Sequence, residues 1–243
     1  MICITGDIHG DIFERINPTV LPGEDTWTEN DTLIVLGDFG LIFYPRLTAY
    51  EGNVLALERK KLEYLEEKPY TVCFIDGNHE NFERLEAEFP EETRFGAPVK
   101  RLGRNVFWLR RGRVYTIEGR SFFCMGGAYS IDKGMRTEGF SWWPQELPSN
   151  EEYRTAAKSL SACGNRVDYV LTHTAPDSFI YRMGKAPDRH DAELTGFLEW
   201  VLREVSFRHW FFGHWHTDRA ITEKATALFT DAVILEAPRD NGE

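Results

Sequence analysis

Residues 1–11 read MICITGDIHGD. Ile2, Cys3, Ile4 and Thr5 make a short apolar run, Gly6 ends it, and Asp7, His9 and Asp11 follow at once. An apolar run of this length without polar alternation predicts a strand covered on both faces. A glycine at its end permits a sharp exit and a close backbone approach. Two chemistries fit the polar residues that come next: a solvated turn that happens to carry charges, or part of a metal site. The stretch alone does not choose between them.

The same construction recurs along the chain. LIVLGD (33–38) ends in Asp38, CFIDGNHE (73–80) carries Asn78 and His79, YVLTH (169–173) ends in His173, and WFFGHWH (210–216) delivers His214 and His216. Glycine precedes the polar residue in four of the five segments. In open α/β sheets, ligands sit beyond the carboxyl ends of strands. Five runs therefore bring Asp, Asn or His to one edge. Taken singly, each has a structural explanation. Asp-x-His and His-x-His suit satisfied turns, Asn78 suits an N-cap ahead of Glu80, and His173 suits a hydrogen-bonded core histidine. Their combination does not, because five of the seven histidines fall in these positions, leaving His190 and His209 elsewhere. Imidazole suits zinc, iron, manganese and nickel, while carboxylate and amide oxygens suit harder divalent cations. Asp7, His9, Asp38, Asn78, His173, His214 and His216 are too many donors for one four-coordinate zinc and suit two metals sharing a carboxylate.

Strands are also expected at Thr32–Leu36, Tyr70–Ile75, Val106–Leu109, Val114–Ile117, Phe122–Met125, Val167–Thr172 and Trp210–Phe212, and near Arg219–Ile221, Ala227–Phe229 and Ala232–Leu235. Helical patterns lie between several of them. Asn53–Glu67 is stopped by Pro69, a Ser149-Asn150-Glu151-Glu152 capping box precedes Tyr153–Leu160, and Asp191–Val205 carries apolar residues at helical spacing. Asp11 is expected to cap a helix after the first strand. From Asn105 to Gly127, three short runs separated by RRGR and EGRS read as an antiparallel meander. Strand–helix units with a meander between them imply a layered α/β chain, with residues 1–243 forming one domain.

At 243 residues the chain can bury a full core. Its 28 basic and 39 acidic residues give a formal charge of −11, which argues against non-specific nucleic-acid or anionic-membrane binding without excluding a local basic pocket. Cys3, Cys73, Cys124 and Cys163 lie far apart, mostly inside apolar runs, and read as reduced core residues of a cytoplasmic chain. No secretory pattern and no run of roughly 20 apolar residues is present, so no membrane association is expected.

The ordered set Gly6-Asp7-x-His9, Gly37-Asp38, Gly77-Asn78-His79-Glu80, His173 and Gly213-His214-x-His216 resembles the calcineurin-like metallophosphoesterase superfamily over residues 6–216. The resemblance implies an α/β (α+β) fold, a four-layer sandwich of two mixed β-sheets flanked by α-helices. It implies that Asp7, His9 and His216 hold one metal, that Asn78, His173 and His214 hold a second, and that Asp38 bridges them. His79 is then the catalytic histidine. The implied cofactors are two divalent cations, manganese first, with iron, zinc or nickel accepted by the same donor set. The implied activity is hydrolysis of phosphate mono- or diesters by a metal-bridging hydroxide, on a phosphorylated small molecule or nucleotide. One branch of the family departs from this chain. Phosphoprotein phosphatases carry G-D-x-x-D-R-G, whereas residues 37–43 read GDFGLIF. Leu41, Ile42 and Phe43 replace the second Asp, the Arg and the last Gly, so the usual carboxylate partner of the catalytic histidine and a phosphate-gripping Arg are absent.

Two further segments bear on substrate. Thr93–Ile117 holds no Asp or Glu but carries Arg94, Lys100, Arg101, Arg104, Arg110, Arg111 and Arg113. It reads either as a positive patch for a phosphorylated substrate or, preferably, as the solvated faces of a meander. GGAYSIDKGMRTEGFSWWPQELPS (126–149) runs for over twenty residues without helical or strand periodicity, as functional segments often do. Tyr129, Asp132, Arg136 and Trp143 are its candidate substrate-binding residues, together with Trp142; equally, the Trp pair caps the core. Two readings compete with the hydrolase: a non-catalytic metal-binding scaffold on the same fold, and a nuclease acting on short nucleic-acid ends.

Overall fold

Successive side chains of a strand point to opposite faces, so a strand covered on both sides needs two apolar partners. The computed structural model describes residues 1–46 and 51–235. Its strands in chain order are β1 (Ile2–Thr5), β2 (Thr32–Leu36), β3 (Thr71–Ile75), β4 (Glu91–Arg94), β5 (Ala97–Arg101), β6 (Val106–Leu109), β7 (Arg113–Ile117), β8 (Arg120–Met125), β9 (Tyr169–Thr172), β10 (His209–Phe212), β11 (Arg219–Thr222), β12 (Ala225–Ala227) and β13 (Ala232–Leu235). The α-helices are α1 (Ile12–Arg15), α2 (Glu51–Glu67), α3 (Phe82–Glu88), α4 (Asn150–Ala162), α5 (Asp177–Arg182) and α6 (Ala192–Glu204).

Seven strands form one sheet in the order β13-β1-β2-β3-β6-β5-β4, and six form a second in the order β11-β12-β10-β9-β8-β7. Both are mixed. β1, β2, β3 and β6 run parallel, as do β8, β9, β10 and β12, while the outer strands pair antiparallel. Ile4, Ile34, Leu36 and Ile75 from the first sheet meet Tyr115, Phe122, Leu171 and Phe211 from the second in a shared core. The alternate residues Cys3, Leu33, Val35, Val72 and Phe74 face outward onto Ile12 of α1, Leu65 of α2 and Leu85 of α3. On the other side, Phe123, Met125, Val170 and Trp210 pack on Leu160 of α4, Ile180 of α5 and Leu194 and Leu198 of α6. The layers therefore run helix, sheet, sheet, helix, which is the four-layer sandwich the resemblance implied. Each fully buried Leu, Ile, Val or Phe contributes about 1.5–3 kcal/mol, and two-sided burial is why these strands read as continuous apolar runs.

Several local expectations are corrected. The three runs between Asn105 and Gly127 are not one meander: β6 belongs to the first sheet, and the β7–β8 hairpin to the second. The chain changes sheets at RRGR because Arg111 turns inward onto Asp76, with Nε and Nη2 each 2.5 Å from its Oδ2. The antiparallel neighbour of β6 is β5, whose Pro98 and charged flanks hide it as a strand. The strand expected at Ala227–Phe229 lies at Ala225–Ala227, because the Asp218 carboxylate accepts the backbone N–H groups of Phe229, Thr230 and Asp231 and draws them out of the ladder. Asp11 occupies the N-cap position of the one-turn helix α1 but makes no side-chain cap bond. Asn81, not Asn78, caps α3. The Ser149–Glu152 capping box is present as read.

The basic run divides: Arg94, Arg101 and Arg104 are exposed, as the solvated reading expects, whereas Lys100 and Arg111 are buried. Arg111 is buried on Asp76, Lys100 donates to the carbonyls of Glu86 and Phe89, Arg110 pairs with Glu86, and Arg101 with Glu92. Cys3, Cys73 and Cys124 are buried free thiols, and Cys163 is half-buried. Among the described residues no helix is long and apolar enough to cross a membrane.

Asp76 is 0% exposed and also accepts Trp108 Nε1–H at 3.0 Å, so Arg111 is its buried ionic partner. Removing one partner of a buried pair leaves the other uncompensated. Arg111→Ala is expected to lower unfolding free energy by about 3–5 kcal/mol in urea titration.

Candidate metal centre

Because β1, β2 and β3 are parallel neighbours, and β9 and β10 likewise, their carboxyl ends open on one edge of the molecule. Asp7 leaves β1 fully buried. Its carboxylate accepts the His214 N–H, through Oδ1 at 3.0 Å and Oδ2 at 3.2 Å, and Oδ2 lies 3.2 Å from His216 Nε2. His9 Nε2 is 3.0 Å from His216 Nε2 and 3.8 Å from Asp7 Oδ2. Asp38, after β2, accepts the His79 N–H at 2.8 Å on Oδ1, which is also 3.4 Å from His173 Nε2; its Oδ2 faces His9 Nδ1 at 3.8 Å. His173 Nε2 and His214 Nδ1 each lie 3.1 Å from Asn78 Oδ1. The seven donors named from sequence thus converge, with Asp38 between the two groups. One donor atom from each of Asp7, His9 and His216 lies within 4.8 Å of the others, and the same holds for His9, Asp38 and His79 and for Asp7, Asp38 and His173.

The backbone is distorted to achieve this. Among the described residues, seven non-glycine residues have positive φ, and four of them are His9 (52°), Asp38 (46°), His214 (65°) and His216 (46°). Left-handed conformations cost non-glycine residues of order 1–3 kcal/mol and concentrate where surrounding structure imposes them. The preceding glycines have a second role in close packing. A Cβ on Gly77 would collide with Asp38 Oδ1, and one on Gly37, itself at φ 93°, with the His173 ring.

The chemistry of the donor set fits divalent cations. Burial alone would push the His173 imidazole down, but Asp38 and then Asp7 hold it up to about 10. Against the upward push of burial, His173, His79 and His9 hold Asp38 well below the usual carboxylate range. The buried carboxylates thus favour positive charge at this point, which is what a divalent cation would supply. His214 is pushed down to about 3, by burial first and His173 second, which leaves it neutral as a ligand must be. His173 Nδ1 donates to the Leu36 carbonyl at 2.7 Å, which points Nε2 at Asp38 and Asn78.

His79 lies beside these donors, with its ring 5.2 Å from that of His9. Its Nε2 is 3.0 Å from Arg136 Nη2. A guanidinium only donates, so Nε2 accepts and the imidazole proton is on Nδ1. Burial pushes His79 down, Asp38 opposes that, and Arg136 adds to it. Where the protein phosphatases carry polar residues, Leu41 and Ile42 are buried and the Phe43 ring lies 5.9 Å from His79.

A cavity of about 600 Å³ opens on this edge, lined by Tyr129, Asp132, Arg136 and the donors Asp38, Asn78, His214 and His216. Asp132 pairs with Arg136 at 2.8 Å, and Tyr129 stacks on His190 with ring centres 4.5 Å apart. Trp143 does not line the cavity: it is fully buried in the outer core, edge-on to Phe43. Trp142 lies under the Lys133 ammonium at 3.4 Å. Sequence reasoning missed Asp191, which accepts the Tyr129 N–H at 2.7 Å, and Lys185, both on the cavity wall. No spacing signal marked either one. It also gave no role to Glu80, whose carboxylate accepts the N–H groups of Phe39 at 2.7 Å and Gly40 at 3.3 Å and so fixes the turn after Asp38.

Ser130 and Glu146 were missed as well. Asn78 Nδ2 donates to Ser130 Oγ at 3.0 Å, which directs the amide oxygen to His173 and His214. Glu146 is 1% exposed, its carboxylate oxygens lack a hydrogen bond of full geometry, and the Ser130 hydroxyl faces it. Ser130→Ala is expected to weaken metal binding about 10–100-fold in chelator competition, with Ser130→Thr restoring most of it. Burial pushes the Glu146 carboxyl from 4.5 up to about 7. A carboxyl raised on folding favours the native state at low pH, so this contribution is present below about 4.5 and is lost as pH rises to about 7. In thermal melts of metal-free protein across that window, Glu146→Gln is expected to flatten the decline.

Comparison with known proteins agrees with the geometry. No curated protein matches the chain. The model of the family described as calcineurin-like phosphoesterase matches residues 1–218, a span that includes every donor from Asp7 to His216. The chain belongs to the calcineurin-like phosphoesterase family.

Proposed function

We propose that the chain is a metal-dependent hydrolase of phosphate esters, with His79 as its catalytic residue. One observation carries this: seven metal-competent side chains from five separate strand ends converge within hydrogen-bonding distances, four of them on strained backbone. In this scheme Asp7, His9 and His216 hold one cation, Asn78, His173 and His214 a second, and Asp38 lies between them. When bound, two divalent cations, manganese first among candidates, supply positive charge for phosphate oxygens and a water of lowered pKa.

The chain's own residues supply the rest. Arg136 lines the cavity with Nη2 3.0 Å from His79 Nε2, so it is placed to reach a phosphoryl oxygen beside that ring. Moving to the phosphate releases His79 Nε2. Once it has taken a proton from solvent, that nitrogen is placed to give it to the departing ester oxygen. In the resting arrangement His79 Nε2 is the acceptor of the Arg136 guanidinium. The Phe43 ring lies 5.9 Å from the His79 ring on its other side. The substrate is a phosphorylated small molecule or nucleotide, and residues 1–243 act as one cytoplasmic unit.

Hydrolysis of p-nitrophenyl esters with manganese added or chelated tests the proposal. His79→Ala is expected to keep its metal and lose turnover about 10²–10⁴-fold. Asp38→Asn is expected to lose metal and turnover together. Unchanged activity in His79→Ala, or no turnover by fully metallated wild type, would refute the assignment.

A further inference from the structure

A metal-ligating imidazole is aimed by what its other ring nitrogen bonds. His173 follows that rule through the Leu36 carbonyl, but among the described residues no group bonds His216 Nδ1. The His216 side chain is 51% exposed and stands on left-handed backbone, yet its Nε2 is held 3.2 Å from Asp7 Oδ2 and 3.0 Å from His9 Nε2. A half-exposed ring has other rotamers open to it, and settling in one costs entropy. The flat face of Phe229 selects the one observed: the two rings lie 17° from parallel with their centres 4.4 Å apart.

Phe229 lies between β12 and β13, after the last donor in the chain, and its backbone is anchored from two directions. Its N–H donates to Asp218 Oδ1 at 2.7 Å, and the same carboxylate accepts the Thr230 N–H and hydroxyl and the Asp231 N–H. Its carbonyl accepts from Arg15 Nη2 at 2.5 Å, while Nη1 of that guanidinium donates to the Asp7 carbonyl at 2.7 Å. The Leu228–Phe229 backbone also packs against Gly6, where a Cβ would collide with Leu228 O and Phe229 Cα. The ring is thereby tied to Asp7 through Arg15 and Gly6, and to His216 through Asp218, two residues further on.

We propose that Phe229 is a positioning residue for His216, presetting its imidazole for the cation assigned to Asp7, His9 and His216 and leaving the second cation unaffected. The inference rests on the two-metal reading of the same centre. Two effects act together. A preset ring gives up less rotamer freedom when a cation binds. A bound cation also draws electron density from its imidazole, and the electron-rich face of a phenyl ring holds the depleted imidazole more firmly. Both effects need a flat aromatic face and not merely apolar bulk. The hydrogen bonds that aim Asn78, His173 and His214 come from Ser130, Leu36 and one another, so they do not involve Phe229.

In the test, chelator-stripped full chain is titrated with manganese and the unbound metal is counted by its electron paramagnetic resonance signal. Wild type is expected to fill two sites, and His216→Ala to lose one of them. Phe229→Ala is expected to weaken one site about tenfold and to leave the other unchanged. Phe229→Tyr is expected to restore wild-type binding, whereas Phe229→Leu, which keeps apolar bulk without a ring, is not. In a His216→Ala background, adding Phe229→Ala is expected to change nothing further. Unchanged affinities in Phe229→Ala, equal weakening of both sites, or restoration by Phe229→Leu as full as by Phe229→Tyr overturns the inference and leaves the two-metal reading standing. A wild type that binds no manganese overturns the two-metal reading and this inference with it.

Discussion

A carboxylate that is 1% exposed organises the whole centre. Asp38 must be paired to be buried, and its partners come from three different strand ends: the His79 N–H after β3, the His173 ring after β9 and the His9 ring after β1. Its own backbone is left-handed, Glu80 pins the two amides that follow it, and Gly77 lacks the Cβ that would displace its oxygen. The constellation therefore cannot form from the first sheet alone. Both sheets have to be in register before the buried charge finds its partners, so folding and assembly of the site are one event.

The strain at His9, Asp38, His214 and His216 is sustained by the same packing. Side chains with two-sided burial fix where each strand stops, and the tight exits leave the ligand residues little conformational freedom. The side chains proposed as metal donors are therefore held in place before any cation arrives. Preorganisation of this kind is what a rigid scaffold supplies and an isolated loop cannot.

The segment from Gly126 to Ser149 reaches the centre beside the apolar positions 41–43. Those three positions became apolar wall, and Phe43 packs on buried Trp143 from that very segment. Arg136, from the same segment, reaches His79, and Ser130 reaches Asn78. The long irregular stretch is thus tied into the site at both a histidine and a donor amide. Its start at the carboxyl end of β8, parallel to β9, explains why it arrives at that edge at all.

The strand ends were legible from sequence because the signal is local. An apolar run, a glycine and a polar residue lie adjacent in the chain, and two-sided burial removes any polar alternation that would blur the strand. The candidate donors and most strands could be read for that reason. Tertiary structure alone decided which polar residues were spent elsewhere, since that depends on partners far away in sequence. Lys100, Arg101, Arg110 and Arg111 of the basic run are consumed by Asp76, Glu86, Glu92 and backbone carbonyls, the Asn105–Gly127 runs divide between two sheets, and Trp143 goes to the core. Ser130, Glu146, Asp191 and Lys185 join the site through contacts separated by tens of residues, which no spacing rule encodes. Sequence by itself determined which residue types stand at the strand ends; only the packing of two sheets decided which of them meet, because buried charges and amides are satisfied in space and not along the chain.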